Sequence, residues 1–155
     1  MLLAVFKALH VLAVVLWVGG MAFAHCFLRP SLVLLEPPQR VRLMHAVLGR
    51  FFKAVLWAAG LILFSGLWII GGTAHLAARS GARFQWPLDW VLMTVVGLLM
   101  IAIFGYIRFV LFKRLNRAVQ AGDMAAGGAA LAAIRPWVGV NLALGLALIA
   151  FVLVY

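Results

Sequence analysis

Four stretches of this chain run for about 20 residues without a charged side chain, the length a helix needs to cross a hydrocarbon layer about 30 Å thick. Residues 8–28 lie between Lys7 and Arg29, residues 54–78 between Lys53 and Arg79, and residues 90–107 between Asp89 and Arg108. The third run stays apolar to Phe112, and a fourth extends from Pro136 to Tyr155. All are continuously apolar rather than alternating, which suits helices and not barrel strands. Of the 155 residues, 68% are hydrophobic and 10% charged, against about 45–50% and 25% in a soluble domain. Such a chain cannot cover itself with a wetted surface, so a soluble globular enzyme and a disordered tail are excluded. The single cysteine, Cys26, excludes an intramolecular disulfide scaffold. The net charge of +10 falls between the apolar runs, where topology and anionic lipid headgroups explain it better than nucleic acid. The expected fold is all-α: a four-helix transmembrane bundle, up-down-up-down, built as one domain over residues 1–155 with the lipid bilayer as its partner.

Ala22-Phe23-Ala24 resembles a signal-peptide cleavage site. The apolar stretch is too long for one, and no basic residue precedes Lys7, so the first helix is expected to be retained. Pro30, Pro37 and Pro38 break the chain after it, with Pro38 placed to open the next helix. A Gly-rich loop is expected over residues 71–88. A short interfacial helix is expected over residues 124–134, separate from the fourth span. Lys/Arg asymmetry sets the orientation. Arg29, Arg40, Arg42, Arg50, Lys53, Arg108, Lys113, Arg114, Arg117 and Arg135 flank the first and third loops, while Lys7, Arg79 and Arg83 lie on the other side. The rule then places loops one and three in the cytoplasm and both termini outside, in the periplasm of a bacterial inner membrane.

Ionisable side chains inside a bilayer cost a few kcal/mol, so each is a functional hypothesis by default. His10 and His25 lie about 22 Å apart along the first helix and only about 60° apart around it. Trp17 and Met21 share that stripe. An antiparallel second helix would bring His45 to the level of His25 and His75 to that of His10. Two histidine pairs of this kind suit axial ligation of haem b, with Gly19 and Gly20 admitting a flat macrocycle. Lys7, three residues from His10, could hold a propionate. Met21, His25, Cys26, Met44 and His45 form an alternative set at the other end, the soft donors that Cu(I) prefers. Asp89 could orient a ligating histidine, and Asn141 is expected to hydrogen-bond between helices. Ala143 and Ala147 offer a small-residue face for a homo-oligomer. No H-E-x-x-H, paired carboxylate, Walker loop or Ser-His-Asp set is present.

Lys7-Ala-Leu-His10, Trp17-Val-Gly-Gly20 and Phe27-Leu-Arg-Pro30 together resemble the opening of the copper-resistance protein D (CopD) family. Arg50-Phe-Phe52 with Trp57, Ser65-Gly66-Leu67, and Asn141-Leu-x-Leu-Gly145 extend the resemblance to the second and fourth spans. The opening also resembles HemJ-type protoporphyrinogen oxidases, four-helix proteins associated with haem b, in which the histidine matching His10 is implicated in haem binding. The chain departs from that second pattern in Leu28-Arg-Pro30 and in having no histidine in its third span. The CopD resemblance implies copper handling at the inner membrane. The HemJ resemblance implies a b-type haem protein for transmembrane electron transfer or porphyrinogen or quinol oxidation, with an electron donor or acceptor as partner. A structural or assembly subunit is the third class.

Overall fold

In the computed structural model, which describes residues 1–81 and 86–154, every regular element is helical. There are four long helical stretches: α1 (Leu2–Leu34), α2 (Pro37–Arg79), α3 (Leu88–Gln120) and α4 (Met124–Val154). Each holds a window long and apolar enough to span a membrane. Of the residues used above for orientation, Arg83 lies outside the described residues, as does Tyr155 at the end of the fourth span.

Neighbours in sequence pack antiparallel. Phe6 meets Trp68, and His10 meets Ser65, across α1 and α2. Phe52 of α2 meets Phe104 and Phe112 of α3, and Tyr106 of α3 meets Trp137 of α4. The core is narrow and aromatic: Trp17, Phe52, Phe104 and Phe112 join Met21, Val55, Ile107 and Leu115. Outside it, Leu12, Leu16, Phe64 and Leu67 are half or more exposed. In water such a belt would be an aggregation surface; against lipid tails it is the expected solvent-facing side.

Apolar side chains gain little by leaving lipid for protein, so helices in a bilayer associate where small residues allow close packing. Gly20 lies under the Phe51 ring, Gly127 against Val41, and Gly145 against Val18 and Met100. A Cβ on Gly145 would sit 2.9 Å from Val18 Cγ2 and 3.1 Å from Met100 Cε. Gly145→Ala is therefore expected to cost about 1–3 kcal/mol by overpacking. Gly97→Ala, where an added Cβ meets nothing within 4 Å, is expected to cost nothing. Thermal denaturation of both variants in detergent checks this.

Two loop expectations are corrected. Residues 71–79 are helix, not loop, because α2 continues through Gly71 and Gly72 to Arg79. In lipid a backbone that leaves the helix loses hydrogen bonds it cannot replace, which outweighs the low helix propensity of two glycines. Residues 124–134 are likewise not a separate element but the first turns of α4, which runs on through Pro136. The chain also opens α2 at Pro37, with Glu36 and Gln39 forming a capping box.

One irregularity bears on the site. Residues Ala24–Leu28 of α1 form a π turn, closed by the Arg29 N–H bonding Ala24 O. Pro30 has no N–H to return to the carbonyl four residues back, and its ring crowds that carbonyl, so the helix widens just before it. This turn carries His25 and Cys26. A second π turn, Ile107–Leu111, carries Arg108.

Candidate functional site

His10 sits on the α1–α2 seam. Its Nδ1 lies 2.9 Å from Ser65 Oγ, and Ser65 is fully buried. The Ser65 hydroxyl also lies 2.5 Å from Leu61 O and 3.2 Å from Ile62 O. A hydroxyl has one proton. With that proton given to Leu61 O, Oγ can only accept from His10, so the imidazole carries its hydrogen on Nδ1. The lone pair is then on Nε2. A backbone-anchored acceptor that fixes ring and tautomer in this way is what ligating histidines commonly have behind them. Ser65 was legible in sequence only as a mark of family resemblance. A serine inside an apolar run, at the antiparallel level of a histidine, was the signal for its role.

His10 does not meet His75. The residue level with His10 is Ser65, and α2 runs on to Arg79. His75 therefore stands ten residues, about 15 Å, further along that helix, and is exposed. Nor do His25 and His45 pair. His45 Nε2 donates to Asn116 Oδ1 at 2.9 Å, and its ring stacks on Phe112 at 5.5 Å between centroids. It joins α2 to α3. His25 faces α4 instead, where its Cε1 lies 3.6 Å from the position of a Cβ on Gly139.

His25 lines a cleft of about 550 Å³ between the end of α1, the start of α2 and the start of α4. Met44 lines it too, and so does Met124. Three soft or borderline donors from three helices thus share one cavity. Met124 was missed in sequence because its segment was read as a separate interfacial helix. The rest of the expected soft set disperses. Met21 is buried in the core, whereas Cys26 is exposed. Among the described residues, no three His, Cys, Asp or Glu side chains gather as a metal cluster.

Trp17 is a core residue, packed edge-on against Phe104 at 5.7 Å. Lys7 is exposed on the first turns of α1, and Asp89 stands in the first turn of α3, where its charge favours the helix dipole. Phe51 lies over Gly20, filling the space proposed there for a macrocycle. Asn141 is buried, and its Oδ1 has no hydrogen-bond partner among the described residues. On α4 the small residues Ala143 and Ala147 are exposed.

A model of the family described as copper resistance protein D matches residues 45–155. The chain belongs to the copper resistance protein D family. Comparison with curated proteins and with solved structures gives no match. The CopD match takes in α3 and α4 and all of α2 from His45 onward. It therefore includes Ser65, Met124 and Arg135, and it reaches the third span, which carries none of the motifs quoted above. His10, His25 and Met44 lie before it, as does the opening that carries the HemJ likeness.

Proposed function

We propose that this CopD-family protein handles copper at a membrane, holding Cu(I) in the cleft lined by His25, Met44 and Met124. The observation that carries this reading is the shared cleft: two thioethers and an imidazole from three different helices. Thioether and imidazole form the donor set that selects Cu(I) over harder cations. His10, held by Ser65 nearer the other end of the bundle, provides a second holding point, so that an ion could be parked at either end. With the Lys/Arg excess in the first and third loops, the cleft faces the cytoplasm and the His10 end faces the periplasm.

Titration of the purified full chain with Cu(I) against a chelator of known affinity tests the cleft. His25→Leu and Met44→Leu are each expected to weaken binding by at least the roughly tenfold that loss of an outer-shell partner costs. Cys26→Ser, which changes an exposed thiol, is expected to leave it unchanged. Unchanged stoichiometry and affinity of uptake after the His25→Leu/Met44→Leu double substitution would remove the cleft from the proposal. An absorption spectrum decides the metal. A Soret band with sharp α and β bands on reduction would replace copper by haem b.

A further inference from the structure

The cleft that holds His25 carries more positive charge than soft donors require. Arg29 of α1, Arg40 of α2 and Arg135 of α4 all line it, and no acidic residue does so among the described residues. The chain has only three acids. Glu36 is committed to the capping box of α2, Asp123 accepts the Ala126 N–H at 2.9 Å, and Asp89 opens α3 at the opposite end of the bundle. Arg40 is held in place: its Nε donates to Leu35 O at 2.6 Å and one terminal nitrogen to Val33 O at 3.0 Å. The rest of its five N–H donors are uncommitted. Three like charges lining one cleft from three segments, beside a low-dielectric bundle, disfavour one another, and an anion among them relieves that repulsion.

The rest of the lining is largely apolar, with Leu48, Leu131, Ile134 and Val138 beside the arginines. A small inorganic anion would answer the arginines and leave that lining wet. An amphiphile answers both. A zwitterionic headgroup would bring its own cation against three guanidiniums. We propose that the cleft is a binding site for an anionic phospholipid, its phosphate held by Arg29, Arg40 and Arg135 and the start of an acyl chain lying along the apolar lining. The inference rests on the arginines and that lining, and not on the copper reading. It also bears on that reading, because the lipid's negative charge offsets the repulsion a copper cation would meet there.

The test uses the full chain, delipidated in a nonionic detergent. Short-chain phosphatidylglycerol, phosphatidylcholine and inorganic phosphate are compared by native mass spectrometry and thermal shift. Phosphatidylglycerol is expected to bind selectively and raise Tm. The Arg29→Gln/Arg135→Gln double variant is expected to lose roughly 30-fold in affinity, the scale for two basic side chains near an anionic headgroup. Arg79→Gln, at an exposed arginine on the other end of α2, is expected to lose nothing. Gly128→Phe keeps all the charges. Gly128 lines the cleft and an added Cβ there meets nothing within 4 Å, so a ring placed there is expected to occupy the cleft, and selective binding should disappear. Equal binding of the two lipids would overturn the proposal. So would displacement of phosphatidylglycerol by millimolar inorganic phosphate, which would make the arginines a free-anion site, or full retention of selectivity in both cleft variants. Loss of lipid selectivity in the arginine variant with Cu(I) uptake intact supports the lipid site and separates it from the copper reading.

Discussion

Phe52→Ala is expected to destabilise the bundle by about 3 kcal/mol, the low end of the range for truncating a buried phenylalanine. Phe52 is 2% exposed. Its ring lies 5.8 Å from Phe104 and 5.3 Å from Phe112, both edge-on, and 6.1 Å from Phe51. It is therefore the node at which α2 grips α3. The low end is expected because an unfolded helix in a micelle or bilayer still has an apolar surround. The transfer part of the usual cost shrinks, and the lost packing and the cavity remain. Trp57→Ala provides the contrast. Trp57 is larger and lies on the same helix but is 82% exposed, so its removal costs little in the same medium. Unfolding in graded detergent mixtures measures both. Equal costs for the two would mean that the aromatic seam does not hold α2 to α3. Phe104→Ala in the Phe52→Ala background should cost less than in the parent, because the two rings share one contact.

That seam also shows how far the sequence could be read. The four spans follow from charge-free runs, since a bilayer demands little more than twenty apolar residues in a row. Their rotations do not follow, because lipid and protein are equally apolar and a hydrophobic stripe no longer marks the buried side. Azimuth along α1 puts His10, Trp17, Met21 and His25 on related faces. It cannot say that His10 meets α2 while His25 meets α4. Levels went wrong for a simpler reason. Gly71 and Gly72 read as a loop, which raised His75 to the height of His10, whereas α2 continues past both glycines. The π turn at Ala24–Leu28 had a cause in sequence, Pro30; the one at Ile107–Leu111 has no proline beside it. In sequence Arg29, Arg40 and Arg135 stand in separate segments and read only as topology signals. That three segments bring them to one cleft is a fact of packing, beyond any pattern of spacing.

The largest functional effect is expected at the other end, from a residue that touches no ion. With all three cleft donors removed by His25→Leu, Met44→Leu and Met124→Leu, the copper that remains reports on His10. In that background Ser65→Ala is expected to weaken Cu(I) binding by about 10- to 100-fold, the usual consequence of losing the partner that orients a ligating imidazole. The reason is the proton. Ser65 Oγ, its own hydrogen given to Leu61 O, accepts from Nδ1 at 2.9 Å and keeps the lone pair on Nε2. Without the hydroxyl the ring can turn, and either tautomer can form. His10→Leu should abolish the residual binding, and Ser65→Ala should add nothing to it, since a positioning residue has no effect without the group it positions. Nitrogen-15 spectra of the imidazole give a readout that a purely structural bond would not link to copper: Nδ1 protonated in the parent, mixed tautomers after Ser65→Ala. If Ser65→Ala shifts the tautomer and lowers Tm but leaves copper affinity untouched, the His10–Ser65 bond is a staple between two helices. The ion must then be held elsewhere.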